Sequence, residues 1–212
     1  KSEQRGRGGY HRHRPPAHPV EDPKHRGKIV EEEGNGTLEL FDLPTDTETL
    51  ERLLTDVYAN YWDRIHFGTC VQGGVWEVKA PNAPQKISLF DGYLTVDFGA
   101  WHFHICIGQN EGTRGNPTSD TLAARRRTAT AQLYRGLRAD RRPGSWGLRL
   151  FNGAGEQQMT VFLPNPYLSF DQKVLKTPNF SHLELWDHLR QTYLNLPPDP
   201  LELQPIWRNF FE

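Results

Sequence analysis

The sequence predicts an α+β fold: a mainly antiparallel sheet of about five or six strands, covered by about three helices and preceded by a flexible N-terminal leader. Three observations carry that prediction. Apolar residues recur at helical spacing through TETLERLLTDVYANYWDRI. Short runs rich in β-forming residues follow one another over residues 66–108 and again beyond 145, each bounded by Gly, Pro or Asp-Gly. Strands and helices do not alternate regularly, and no glycine-rich phosphate loop follows a strand, which disfavours Rossmann and P-loop architectures.

Taken in order, residues 1–33 are Arg, Gly, His and Pro with few large apolar side chains, and they read as a basic leader. Residues 34–212 read as a single α+β domain, opening on Gly36-Thr37-Leu38-Glu39-Leu40 as a short edge strand. Asp46 or Thr45 can cap the first helix, and Glu48 and Glu51 suit its positive end. Its apolar stripe is Leu50, Leu53, Leu54, Val57, Tyr58 and Tyr61. HFGTCVQGGVWEVKA, QKISLFDG, YLTVDFG and AWHFHICIG follow as strands, with Asp91-Gly92 as the clearest hairpin turn.

A second helix is expected over residues 119–138, capped by Ser119 or Asp120, with Leu122, Ala129, Leu133 and Leu137 as its apolar positions. SWGLRLF and QQMTVFLP then form two strands joined by a bulged hairpin loop, NGAGE. A last helix covers residues 180–194, started by Asn179 or Ser181 and stopped by Pro197-Pro198.

The chain has 212 residues, 36% of them hydrophobic, with 11 Phe, 7 Tyr and 6 Trp, a composition that can build a core and does not match a disordered protein. The net charge is -1, but residues 1–28 carry +5 and residues 29–212 carry -6. Such a leader either folds back on the acidic body or touches anionic surfaces without specificity. Nothing resembles a module for specific nucleic-acid recognition. No membrane span is expected, since no run approaches the roughly 18 apolar residues a crossing helix needs. Cys70 and Cys106 form no disulfide framework, which suits the cytoplasm or another reducing soluble compartment, with a processed organelle targeting peptide left open.

The densest polar motif is Trp101-His102-Phe103-His104-Ile105-Cys106-Ile107. Alternation in a strand places His102, His104 and Cys106 on one face and Trp101, Phe103, Ile105 and Ile107 on the other, a core face. Two imidazoles one residue apart can share a divalent ion, zinc before iron, if a third ligand joins them. His66 is the first choice for that ligand and Glu77 the second; the plain alternative is hydrogen-bonded or solvent-facing histidines.

Arg149 has Gly147 and Phe151 at alternate positions, and Gln158 and Thr160 on the next strand can line the same face. Either Arg149 meets solvent or an ion-pair partner, or it orients an anionic group in a substrate pocket, with Tyr134, near the end of the second helix, as a further substrate-binding residue.

Two functions follow as expectations. The first is a small metal-dependent enzyme of hydrolase, lyase or oxidative chemistry, acting on a small anionic substrate. In it His102, His104 and His66 hold the metal, while Glu77 and Arg149 take catalytic roles. The second is a noncatalytic ligand-binding or assembly protein with an aromatic-lined pocket or dimer face. Trp207, Phe210 and Phe211 near the end of the chain make a homodimer a natural expectation.

Overall fold

The computed structural model describes residues 27–71 and 73–198. The first 26 residues of the expected leader lie outside the described residues, as do Trp207, Phe210 and Phe211.

The described chain begins with a hairpin of β1 (Lys28–Glu32) and β2 (Gly36–Leu43), paired from Lys28↔Leu40 to Glu32↔Gly36. Residues 28–32 therefore belong to the sheet rather than to the leader that composition assigned them to. Ile29 and Val30 are β-branched, and Gly34 and Gly36 supply the positive φ that the turn requires (83° and 75°). Because β1 occupies the edge, β2 is the second strand of the sheet rather than the edge strand expected.

The first helix, α1 (Thr47–Asn60), matches its sequence signature. The Asp46 carboxylate accepts from the Thr49 amide at 2.9 Å, and Leu50, Leu53, Leu54, Val57 and Tyr58 are all buried. The stretch HFGTCVQGGVWEVKA, expected as strand interrupted at Gly73-Gly74, forms the short β3 (His66–Gly68), β4 (Cys70–Val71) and β5 (Gly74–Val75). The chain doubles back here so that Val78 bridges to Phe67, and a side chain on Gly68 would overlap the Trp76 carbonyl.

An antiparallel meander follows: β6 (Lys86–Phe90), β7 (Tyr93–Asp97) and β8 (His102–Cys106). Its first turn is Asp91-Gly92, with φ of 46° and 77° as a primed turn demands. A small hairpin, β9 (Gly112–Thr113) and β10 (Asn116–Pro117), leads on.

The largest departure from expectation comes next. The helix expected over residues 119–138 is only α2 (Asp120–Arg126), after which Arg127 turns extended (ψ 145°) and β11 (Thr128–Leu137) begins. Ser119 caps α2 as expected, accepting from the Leu122 amide at 3.3 Å. Leu133 and Leu137 fit a helical period, but Ala131, Leu133 and Arg135 are buried with half-buried Thr130, Gln132 and Tyr134 between them, which is the period of a strand. Neighbours on both sides fix that choice.

β12 (Pro143–Asn152) and β13 (Gln157–Phe162) complete a six-stranded antiparallel sheet of order β1-β2-β11-β12-β13-β3. A 3-10 turn at Phe180–Leu183, capped by Asn179, runs into α3 (Glu184–Leu194). No helix among the described residues is long and apolar enough to cross a membrane.

One core joins these parts. Phe41, Leu43, Leu133, Leu148, Leu150 and Val161 on one face of the large sheet cluster with the buried stripe of α1, with Leu185, Trp186 and Leu189 of α3, and with Leu94, Val96 and Ile105 of the meander. Cross-strand partners share a face, so Tyr134, Gly147 and Phe162, together with Gln132, Arg149 and Thr160, look out on the opposite side.

Candidate functional site

That outer face carries a pocket of about 350 Å³, lined by Leu38, Tyr134, Arg149 and Thr160 on the sheet and by Cys70 and Val75 of the β4–β5 hairpin. Asn35, Ser145 and Phe162 complete its polar and apolar edges. Tyr134 lies over Gly147, where any Cβ would run into the phenol ring. Burial pushes the phenol up to about 12, against the opposing pull of Arg149, so Tyr134 is a neutral hydroxyl at physiological pH.

Arg149 is buried, and its charge is already met. Nη1 and Nη2 donate to the two carboxylate oxygens of Glu32 at 2.9 and 2.7 Å, and Nε donates to Gln132 Oε1 at 3.0 Å. Its guanidinium carbon sits 5.6 Å from the Tyr134 ring centroid and 5.2 Å from that of Phe151. Hydrogen bonding from Arg149 holds the Glu32 carboxyl below its ordinary range, with partial burial opposing. A depressed carboxyl contributes stability that is present at neutral pH and is lost as pH falls through the folded value.

The sequence-selected residues divide accordingly. Tyr134, Arg149 and Thr160 do share the pocket, although Tyr134 reaches it from the middle of β11 rather than from a helix. Gln158 does not: Leu150 pairs with Met159 and Phe151 with Gln157, so Gln158 is the extra residue of a β-bulge. Its amide instead donates to the carbonyls of Cys106 and Arg126 and accepts from Thr128.

The histidine strand alternates as expected. His102 and His104 are exposed with ring centroids 4.9 Å apart, while Ile105 and Ile107 are buried on the other face. His104 Nδ1 meets the Thr95 hydroxyl at 2.7 Å. Cys106 departs from its exposed neighbours: it is buried and donates to the Gly108 carbonyl at 3.6 Å.

His66 stands on β3, part of the other sheet, with Nδ1 3.2 Å from the Gln172 amide nitrogen. Burial, then the nearby Lys79 ammonium, hold its imidazole below the usual value, whereas Glu77 pulls the other way. Glu77 is exposed, and its field reaches both His66 and Tyr134. Among the described residues no group of three or more His, Cys, Asp or Glu side chains is arranged to hold a metal ion, so the set His102, His104 and His66 is not assembled, with or without Glu77.

Two ligands hold zinc weakly. After zinc addition and dialysis, wild-type protein and a His102→Ala/His104→Ala variant are therefore expected to retain the same zinc, to within about 0.1 equivalent, by elemental analysis. Stoichiometric zinc that disappears in a His102→Ala/His104→Ala variant would restore the metal reading.

Sequence reasoning missed Glu32, because composition placed it in the leader. The signal was present in the β-branched pair of KIVEE, followed by two glycines in a turn. The β4–β5 wall was also missed, since Gly73-Gly74 was read as an interruption between longer strands.

No curated protein matches this sequence. Among solved structures the chain is similar to a structural-genomics protein from Agrobacterium tumefaciens, at 15% identity over 73% of this chain and 71% of that one, with a TM-score of 0.45. It is similar also to ChuX, at 12% identity over 71% of this chain and 74% of that one, with a TM-score of 0.39. A family model matches residues 27–195, from the glycine before β1 to the residue just after α3, and the chain belongs to that family, described as a family of unknown function (DUF7676).

Proposed function

We propose that this protein is a noncatalytic small-ligand-binding protein whose site is the outer-face pocket over Tyr134, Arg149 and Thr160. The observation behind this reading is the pocket itself: about 350 Å³ of space over a sheet whose floor is an aromatic ring laid across Gly147. That volume lies in the range of small-molecule sites, roughly 300–1,000 Å³. Leu38, Val75 and Phe162 offer apolar contact, while Asn35, Ser145 and Thr160 offer hydrogen bonds that can orient a ligand. The ionised pair at its edge is closed on itself, and the phenol stays protonated. With Arg149 paired and Tyr134 neutral, the lining suits binding and orienting a ligand.

A planar, uncharged ligand with one hydrogen-bonding group suits this lining. The probe is 2-naphthamide, titrated by calorimetry. Saturable binding is expected at one site per chain, with Tyr134→Ala weakening it about tenfold or more, since a buried aromatic anchor contributes on the order of 1.4 kcal/mol or more. No saturable binding, or binding untouched by both Tyr134→Ala and Thr160→Val, would reject the pocket as the site.

A further inference from the structure

We propose that Glu32 determines the charge class of the pocket's ligand: by holding the Arg149 guanidinium as an internal carboxylate, it makes the site select uncharged planar ligands over carboxylates. The inference rests on the pocket being the binding site.

Its basis is the way Arg149 is used. A guanidinium recognises a carboxylate through two parallel N–H donors, and that pair of donors is taken up by Glu32 at 2.9 and 2.7 Å. A third N–H is fixed by Gln132. The Arg149 side chain is 8% exposed, whereas that of Glu32 is 31% exposed, so the carboxylate is the more accessible member of the pair.

Glu32 is itself held in place. It ends β1 opposite Gly36, and the Asn35 side-chain amide in the same turn donates to Glu32 Oε2 at 3.1 Å. Asn35 also lines the pocket. A ligand carboxylate must therefore either displace a carboxylate anchored by its own hairpin, or sit beside it at like charge. Both penalties fall on anions and spare neutral molecules of the same shape, which is specificity by exclusion. The negative field of Glu77 at Tyr134 acts in the same direction.

The test uses two ligands of one shape, 2-naphthamide and 2-naphthoate, at neutral pH on the full chain. Wild-type protein is expected to bind the amide at least about tenfold more tightly than the carboxylate. Glu32→Gln keeps the size of the side chain and removes its charge; it should tighten naphthoate binding about tenfold or more while leaving naphthamide within about threefold. Adding Arg149→Met to Glu32→Gln should abolish the gain.

Equal wild-type affinity for the two ligands overturns the inference while leaving the pocket reading intact. So does a folded Glu32→Gln protein with unchanged naphthoate affinity. Should that variant fail to fold, the wild-type selectivity ratio still decides the matter. Absence of naphthamide binding in wild type overturns the pocket reading, and the inference with it.

Discussion

Glu39→Ala is expected to lower folding stability by about 3–5 kcal/mol, measured by urea unfolding. Glu39 and Arg135 face each other across β2 and β11, with side chains 3% and 2% exposed and Nε 2.5 Å from Oε2. The other carboxylate oxygen accepts from the Gly27 amide at 2.9 Å, so this one side chain also anchors the approach to β1. Deleting the carboxylate removes an ion pair whose two side chains are almost fully buried, together with the Gly27 anchor, and the loss of that buried pair is the main cost. A Glu39→Ala variant within about 1 kcal/mol of wild type would show that the pair contributes little to folding.

Phe67→Ala should cost a comparable amount, about 3–5 kcal/mol. Phe67 is 2% exposed on the short edge strand β3, and its ring lies 4.9 Å from Tyr58, 5.5 Å from Phe103 and 6.1 Å from both Phe98 and Trp101. It therefore ties the edge of the large sheet to α1 and to the meander at once. Truncation would open a cavity among rings that belong to several elements and that cannot collapse without moving them. Phe103, half-buried at the margin of the same cluster, should lose less on truncation to Ala. His104→Ala, on the exposed face of β8, should fall within about 0.5 kcal/mol of wild type. A larger loss at His104 than at Phe67 in zinc-free protein would contradict the assignment of the core face.

The elements read correctly from sequence are those whose evidence is local. The stripe from Leu50 to Tyr58 and the Asp46 cap define α1 without reference to any other segment. Asp91-Gly92 specifies a hairpin because its two residues tolerate positive φ. Alternation along Trp101–Ile107 separates exposed histidines from buried Ile105 and Ile107, and alternation along β12 turns Arg149 away from the core. Those are statements about a single strand.

What tertiary structure decided involves segments far apart in the chain. The stretch from Thr128 to Leu137 carries apolar residues compatible with either period; strand pairing to β2 and β12 satisfies its backbone donors and acceptors and makes it β11. The bulge at Gln158 reversed one expected pocket residue, because a single extra residue shifts everything on one side of it relative to the partner strand. His66 and the His102–His104 pair were drawn together by chemistry alone, and sheet topology set them on different sheets. Arg149 has its defining partner 117 positions away, on a strand that composition assigned to the leader. Sequence by itself determined which way β8 and β12 face and where α1 begins, since side-chain periodicity and capping act within a few residues. The chemistry of the pocket was decided by which strands lie side by side, a choice made by long-range pairing that no local period contains.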